Sequence, residues 1–337
     1  MCIRDRTQGS VKLKSKRTDS RNLLKEAQEK GYSLAFNRAQ METAQGKLLG
    51  LFAYSAMPDG ITVTRSQNSP DRTIPTLKEM SAKALQVLSE NDKGFFLMIE
   101  AGQIDWAAHN NDTGLMLHEL LRLNETVDYV LDWANNRDDT LVIVTADHTT
   151  GGFGISYSAN DLPVGRRLPG ILFKGREFKP NYNFGNPAVL DKIYSQKMSY
   201  YKLFRGQFDR LPKEQQTPAR LAELVNQYTA FAISEAQAAA ILATEENPYY
   251  TEGHSSLGDK VVPKMGPTGA FFVYQTDDNR QNLLAREVAA DQMVVWNTGS
   301  HTATPVLVFA KGSPEAMAPF GNVLHHTQLG RYAIEAV

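Results

Sequence analysis

Six side chains in three short stretches have the types and spacings that bind divalent cations. In "EAGQIDWAAH", Glu100 closes an apolar run, and Asp105 and His109 stand four residues apart. On a helix that spacing puts both on one face, where they can hold one cation between them. In "LVIVTADHTTGG", Asp147 and His148 directly follow a run of β-branched residues, and the small and flexible residues after them let the backbone turn away. The third stretch, "NTGSHTATP", contributes His301. Each has a plain reading when taken alone. An Asp and a His at i, i+4 are a common surface pair, Asp147 suits an N-cap, and His301 is unremarkable by itself. Together they are nitrogen and oxygen donors without a thiolate, which suits zinc where histidine is present and magnesium where every donor is oxygen. Two carboxylate–histidine groups close together suit a two-metal site, which clamps the attacking and leaving oxygens of a phosphoryl transfer.

Positioning these groups requires a particular order of elements. Residues 20–30 read as a short helix stopped by Gly31, and 47–53 as a buried strand leading into a proline-containing loop. Thr76 and Glu79 have the spacing of a capping box for a helix whose Leu77, Met80, Ala84 and Leu88 share a face. Residues 94–100 read as a strand covered on both faces, and 105–110 as helical. Residues 113–135 carry a stripe of Met116, Leu120, Leu123, Val127, Val130 and Ala134, and 140–146 form the next strand. Helix and strand in alternation predict an α/β fold, with a mostly parallel central sheet flanked by helices on both faces. In such a sheet ligands collect beyond the carboxyl ends of the strands, where Glu100 and Asp147–His148 would lie. His301 precedes its strand, 304–310. It joins the others only if that strand runs antiparallel, or if His301 instead follows the end of "MVVW".

The predicted organisation is a partial metal-binding core over 1–159, an insertion of mixed helix and loop over 160–290, and a return to the core over 291–337. The composition, with 42% hydrophobic and 22% charged residues and a formal net charge of -1, is that of a soluble globular protein with no feature for nucleic acid. No window approaches the roughly 20 apolar residues of a spanning helix. The opening "MCIRDR" holds the single cysteine, Cys2, and reads as a truncated start with no leader of its own.

At these residues the sequence resembles the alkaline phosphatase family. "GFFLMIEAGQIDWAAHNND", "TLVIVTADHTTGG" and "WNTGSHTATPVLVFAKG" look like its three metal segments, in order, and "LLGLFA" and "PTLKEMSAKAL" also look like family text. The resemblance implies hydrolysis of phosphate monoesters through a phosphoserine, with two zinc ions and one magnesium. Asp105, His109 and His301 would bind the first zinc, Asp147 and His148 the second, and Glu100 the magnesium. Trp106 stands where familiar members carry a lysine or histidine that helps hold phosphate, so altered phosphate affinity is expected. The family's Asp-Ser-Ala nucleophile segment is not found. Asp19–Ser20 precedes a charged helix instead of ending a strand, which places the nucleophile upstream and makes the stretch inactive by itself. The resemblance further implies a periplasmic or secreted protein, and an insertion that shapes the substrate entrance or a homodimer contact. A related phosphodiesterase or sulfatase, and a non-catalytic metal-binding fragment, remain the alternative readings.

Overall fold

The computed structural model describes residues 6–8, 11–13, 17–19, 21–159, 161–183, 185–272 and 276–336. Cys2, Ser20 and the boundary residue Asn160 lie outside the described residues. The chain divides into two compact units, one formed by residues 1–101, 121–143 and 310–337, the other by 102–120 and 144–309.

In the first unit, helices Leu23–Glu29, Arg38–Thr43, Gly60–Ser66 and Leu77–Leu88 accompany a parallel pair of strands, Ser33–Ala35 and Leu48–Gly50. Leu77–Leu88 opens on the expected capping box: the Thr76 hydroxyl accepts from the Glu79 amide, and the Glu79 carboxylate accepts from the Thr76 amide at 2.7 Å. The same carboxylate takes two parallel hydrogen bonds from Arg72, at 2.8 and 2.7 Å. This pairing holds the Glu79 carboxyl down at about 2, with the Arg72 hydrogen bonds outweighing the opposing effect of burial.

The segment 94–100 differs from the expected strand. It belongs to no ladder among the described residues, and its exposure alternates. Phe96 and Met98 are 62% and 74% exposed, between the half-buried Phe95, Leu97 and Ile99. An extended chain sends successive side chains to opposite sides, so this run packs on one face only.

Strands throughout are short and pair two by two. Thr149–Thr150 with His301–Thr302, Gly154–Ile155 with Val294–Val295, Arg166–Arg167 with Glu177–Phe178, and Thr244–Glu246 with Val261–Pro263 are antiparallel. The chain therefore mixes helix and strand as expected, while a single parallel sheet is not among the described pairings. The long helix Thr113–Ala134 also departs from expectation. Its most deeply buried positions include His118, Arg122 and Thr126, while Leu120 of the apolar stripe is 50% exposed. Polar burial is tolerated there because the groups have partners: Arg122 donates to the Thr64 hydroxyl and the Gln67 side-chain carbonyl, and the Thr126 hydroxyl donates to the Arg122 carbonyl.

The second unit has the larger apolar core. Tyr200, Leu203, Phe204, Phe208, Leu221, Ile241 and Leu284 are at most 1% exposed within one cluster. The helix Pro218–Tyr228 starts on a Thr217 cap with proline in its first turn, and buries Leu221, Leu224 and Val225 in that cluster. Helix Asn279–Gln292 packs Leu284, Ala285 and Val288 on it. No helix among the described residues is long and apolar enough to cross a membrane.

The Glu79 pairing generates a stability prediction. Glu79→Gln should lower the free energy of unfolding at neutral pH by about 1–2 kcal/mol, a figure reduced because the carboxylate is partly solvated. A folded-state pKa below the unfolded value means that the contribution is complete above the unfolded value, about 4.5, and is lost as pH falls toward about 2. Denaturant midpoints of the two proteins should therefore converge across that window, and a constant gap would show that the charge is not responsible.

Candidate metal centre

The helix Gln103–His109 carries Asp105 and His109 one turn apart, with the His109 Nε2 3.4 Å from an Asp105 carboxylate oxygen. The antiparallel pairing of His301–Thr302 with Thr149–Thr150 brings His301 alongside, which answers how a histidine that precedes its strand reaches the other donors. Its Nε2 lies 3.1 Å from the His109 Nε2 and 3.5 Å from the other Asp105 oxygen. Tetrahedral coordination with bonds near 2.0–2.1 Å separates ligand atoms by roughly 3.4 Å. The Asp105 carboxylate faces one histidine with each oxygen, and the three side chains are close enough to share one cation.

Neighbouring groups fix how these donors face. The His109 Nδ1–H donates to the Gly299 carbonyl at 2.7 Å, which leaves its Nε2 facing His301 and Asp105, a donor to Asp105 when the ring is protonated and a lone pair for a cation when it is neutral. The Thr150 hydroxyl donates to Asp105 at 2.5 Å and lies 3.2 Å from the His148 Nδ1. Burial works against charge on Asp105, but the hydrogen bonds from His109 and Thr150 outweigh it and hold the carboxyl below its ordinary value. Burial likewise opposes protonation of His109, yet Asp105 and the Gly299 carbonyl raise its pKa overall. His301 goes the other way, pushed down by burial and by the neighbouring His148.

Of the six predicted ligands, Asp105, His109 and His301 form the one group of three or more metal-binding side chains found among the described residues. His148 joins their edge, its ring stacked on His301 with centroids 3.6 Å apart. Asp147 is bound to it, 3.1 Å from the His148 Nε2, but its side chain is 84% exposed. Glu100 is exposed and belongs to the first unit. Trp106, next to Asp105, is 53% exposed. Sequence reasoning missed Thr150 and Gly299, whose roles come from a hydroxyl and a backbone carbonyl that carry no motif. Gly151 is also required: its φ is +77°, and a Cβ there would come within 2.9 Å of the Ala108 carbonyl and closer still to Trp296.

Known proteins similar to this chain fall in one family. The family model for alkaline phosphatase matches residues 1–201. Alkaline phosphatase 4 of Bacillus subtilis (strain 168) is 40% identical over 161 residues, which cover 46% of this chain and 33% of that protein. The alkaline phosphatase of Escherichia coli (strain K12) is 37% identical over 149 residues, covering 38% and 31%. The matched stretch thus spans about a third of these curated relatives. In fold, the chain is similar to the Thermus thermophilus alkaline phosphatase, with a TM-score of 0.65 at 23% identity over 95% of this chain and 59% of that one. It is also similar to the cold-active alkaline phosphatase of the psychrophile Shewanella sp., with a TM-score of 0.60 over 94% and 62%.

The donor geometry sets an expected zinc response. Since His109 must give up its proton to bind metal, and its pKa is raised, affinity should begin to fall at a pH above the ordinary histidine value, near 6.5, and keep falling as the solution is acidified. His109→Ala should weaken zinc by more than the roughly 10–100-fold typical of losing a supporting group. Competition with a chromophoric chelator across pH measures both. Affinity that is flat between pH 8 and pH 5.5 would remove the histidines from the site.

Proposed function

The chain belongs to the alkaline phosphatase family, and on that premise we propose that it carries the metal-holding part of a phosphomonoester hydrolase. The observation that carries this reading is the convergence of Asp105, His109 and His301 at spacings suited to one tetrahedral cation. In the proposal these three hold one zinc, Asp147 and His148 hold a second, and Glu100 contributes to a magnesium site in the whole protein. Bound cations would supply Lewis acidity toward phosphoryl oxygens and lower the pKa of a nucleophile.

The chain's own residues do the rest. Asp105 keeps a negative charge at neutral pH, because its hydrogen bonds favour the ionised form. Gly299 fixes the His109 tautomer, and Thr150 orients the Asp105 carboxylate. Trp106, exposed and next to Asp105 in the sequence, brings an indole in place of a cation that would attract phosphate, so weaker phosphate retention is proposed. The proposal assigns the nucleophile to a serine upstream of residue 1, the mostly parallel sheet to the whole protein, and the 160–290 segment to an insertion over the core. It places the protein in the periplasm or outside the cell, as a homodimer.

The test joins the chain to an upstream segment bearing an Asp-Ser-Ala nucleophile and supplies zinc and magnesium. A p-nitrophenyl phosphate monoester should be hydrolysed in preference to the corresponding diester and sulfate. His301→Ala should cost at least roughly a hundredfold in kcat/KM, the effect of losing several kcal/mol of charge stabilisation. Preference for the diester or the sulfate would favour the related hydrolases, and zinc uptake without hydrolysis of any of the three would favour a non-catalytic metal-binding protein.

A further inference from the structure

Beneath the candidate metal centre lies a pair of buried carboxamides from distant parts of the chain. Asn111 and Asn282 are 0% and 2% exposed. The Asn111 Nδ2 donates to the carbonyls of Ala108 and Thr298, both at 2.9 Å. The Asn282 Nδ2 donates to the carbonyl of His109 and to the Asn111 Oδ1, both at 2.8 Å. A carboxamide has two N–H donors, and each of these has both engaged. Three backbone carbonyls converge here and can only accept, so each must face a carboxamide N–H, which fixes the orientation of both amides.

The carbonyls that are joined belong to the segments bearing His109 and His301. Ala108 and His109 end the ligand helix, and Thr298 lies three residues before His301. Asn111 makes this bridge from a left-handed backbone, φ +53°, which costs a non-glycine residue energy and persists only where the surroundings hold it. Asn282 sits on helix Asn279–Gln292, whose Leu284, Ala285 and Val288 are anchored in the large core of the second unit. Gly299, whose carbonyl holds the His109 ring, packs so closely that a Cβ there would lie 3.2 Å from the Asn282 Oδ1.

We propose that the Asn111–Asn282 carboxamide pair positions His109 and His301 for a shared cation, and that helix Asn279–Gln292 serves as the brace of the metal centre. The proposal rests on the reading of Asp105, His109 and His301 as cation ligands. The two asparagines touch no ligand atom and act through the backbone, setting the distance between two segments whose side chains meet 3.1 Å apart. It gives the C-terminal end of the 160–290 segment a definite task.

Three forms of the full 337-residue chain test it: wild type, Asn282→Asp and Asn111→Gly. Asn282→Asp keeps the shape and removes both donors. Asn111→Gly removes the bridge while relieving the positive φ, so that loss of fold and loss of positioning are separated. The readouts are zinc affinity by chelator competition, the visible absorption of bound cobalt(II), which reports coordination geometry, and the thermal midpoint without metal. Both variants should bind zinc roughly 10–100-fold more weakly, as supporting-group losses do. The cobalt band should change in position and intensity, and Asn111→Gly should remain folded without metal. Variants with wild-type affinity and an unchanged cobalt spectrum would overturn the positioning role, whatever happens to the midpoint. A wild-type chain that takes up neither metal would overturn the ligand reading and the positioning role together. Should Asn282→Asp fail to fold, Asn111→Gly decides alone.

Discussion

The second unit is organised around the separation of two imidazole nitrogens. With the His109 Nδ1–H committed to the Gly299 carbonyl, its Nε2 lone pair points at the His301 Nε2, 3.1 Å away. Two bare lone pairs at that distance repel, so the contact requires something positive between them. A proton on one ring or a cation between the two relieves this; the His109 pKa is raised by Asp105 and the Gly299 carbonyl against the effect of burial, and the His301 pKa is lowered by burial and by His148. A divalent cation meets the same demand more fully, since it also neutralises the Asp105 carboxylate on the third side. The site thus has an electrostatic need that the protein's own groups meet only in part, which favours cation uptake over closure of the site on itself.

Holding this geometry falls to elements of unlike kind. A seven-residue helix is too short to be stable in isolation, so Gln103–His109 depends on contacts at its end. The four residues "HNND" supply them in sequence. His109 is the donor. Asn110 returns hydrogen bonds to the Trp106 carbonyl, and Asn111 bridges to the His301 segment. Asp112, fully buried, caps the following helix by accepting from the Leu115 amide, and ties in the core by accepting from Gln196 and the Tyr200 amide. A buried carboxylate with three donors is an anchor and not a liability, because every donor compensates for lost hydration. On the other side, the Gly151 carbonyl accepts from the amides of Asn297 and Thr298, which fixes the chain entering the His301 segment.

Which of these features could be read in the sequence follows from the range of the interaction behind each. The Asp105–His109 pair and the Thr76–Glu79 capping box depend on spacings of four and three residues, and the structure forms both. The pairing of Thr149–Thr150 with His301–Thr302 spans about half the chain, and the sequence posed it as a requirement without deciding how it would be met. The Asn111–Asn282 bond joins residues 171 positions apart and involves two ordinary polar side chains, so no periodicity announces it. The apolar stripe of Thr113–Ala134 misled for a different reason. Hydrophobic spacing shows which face prefers burial, but Arg122 and His118 found partners that made burial of a polar face acceptable, and Leu120 was left exposed.

The layering of the site bears on how it would work. Its floor is polar but dry, two carboxamides at no more than 2% exposure with their donors fully engaged. Its upper side is open: the side chains of Asp105, His148 and His301 are 31%, 29% and 37% exposed. A rigid floor lets the donors keep their spacing while the face toward solvent stays accessible, so an incoming group need not wait for the core to open. In the proposed role Asp105, His109 and His301 would satisfy only part of a tetrahedral ion, and the open upper side would leave room there for an incoming group. An accessible fourth position is what separates a centre built for chemistry from one built only to hold the chain together.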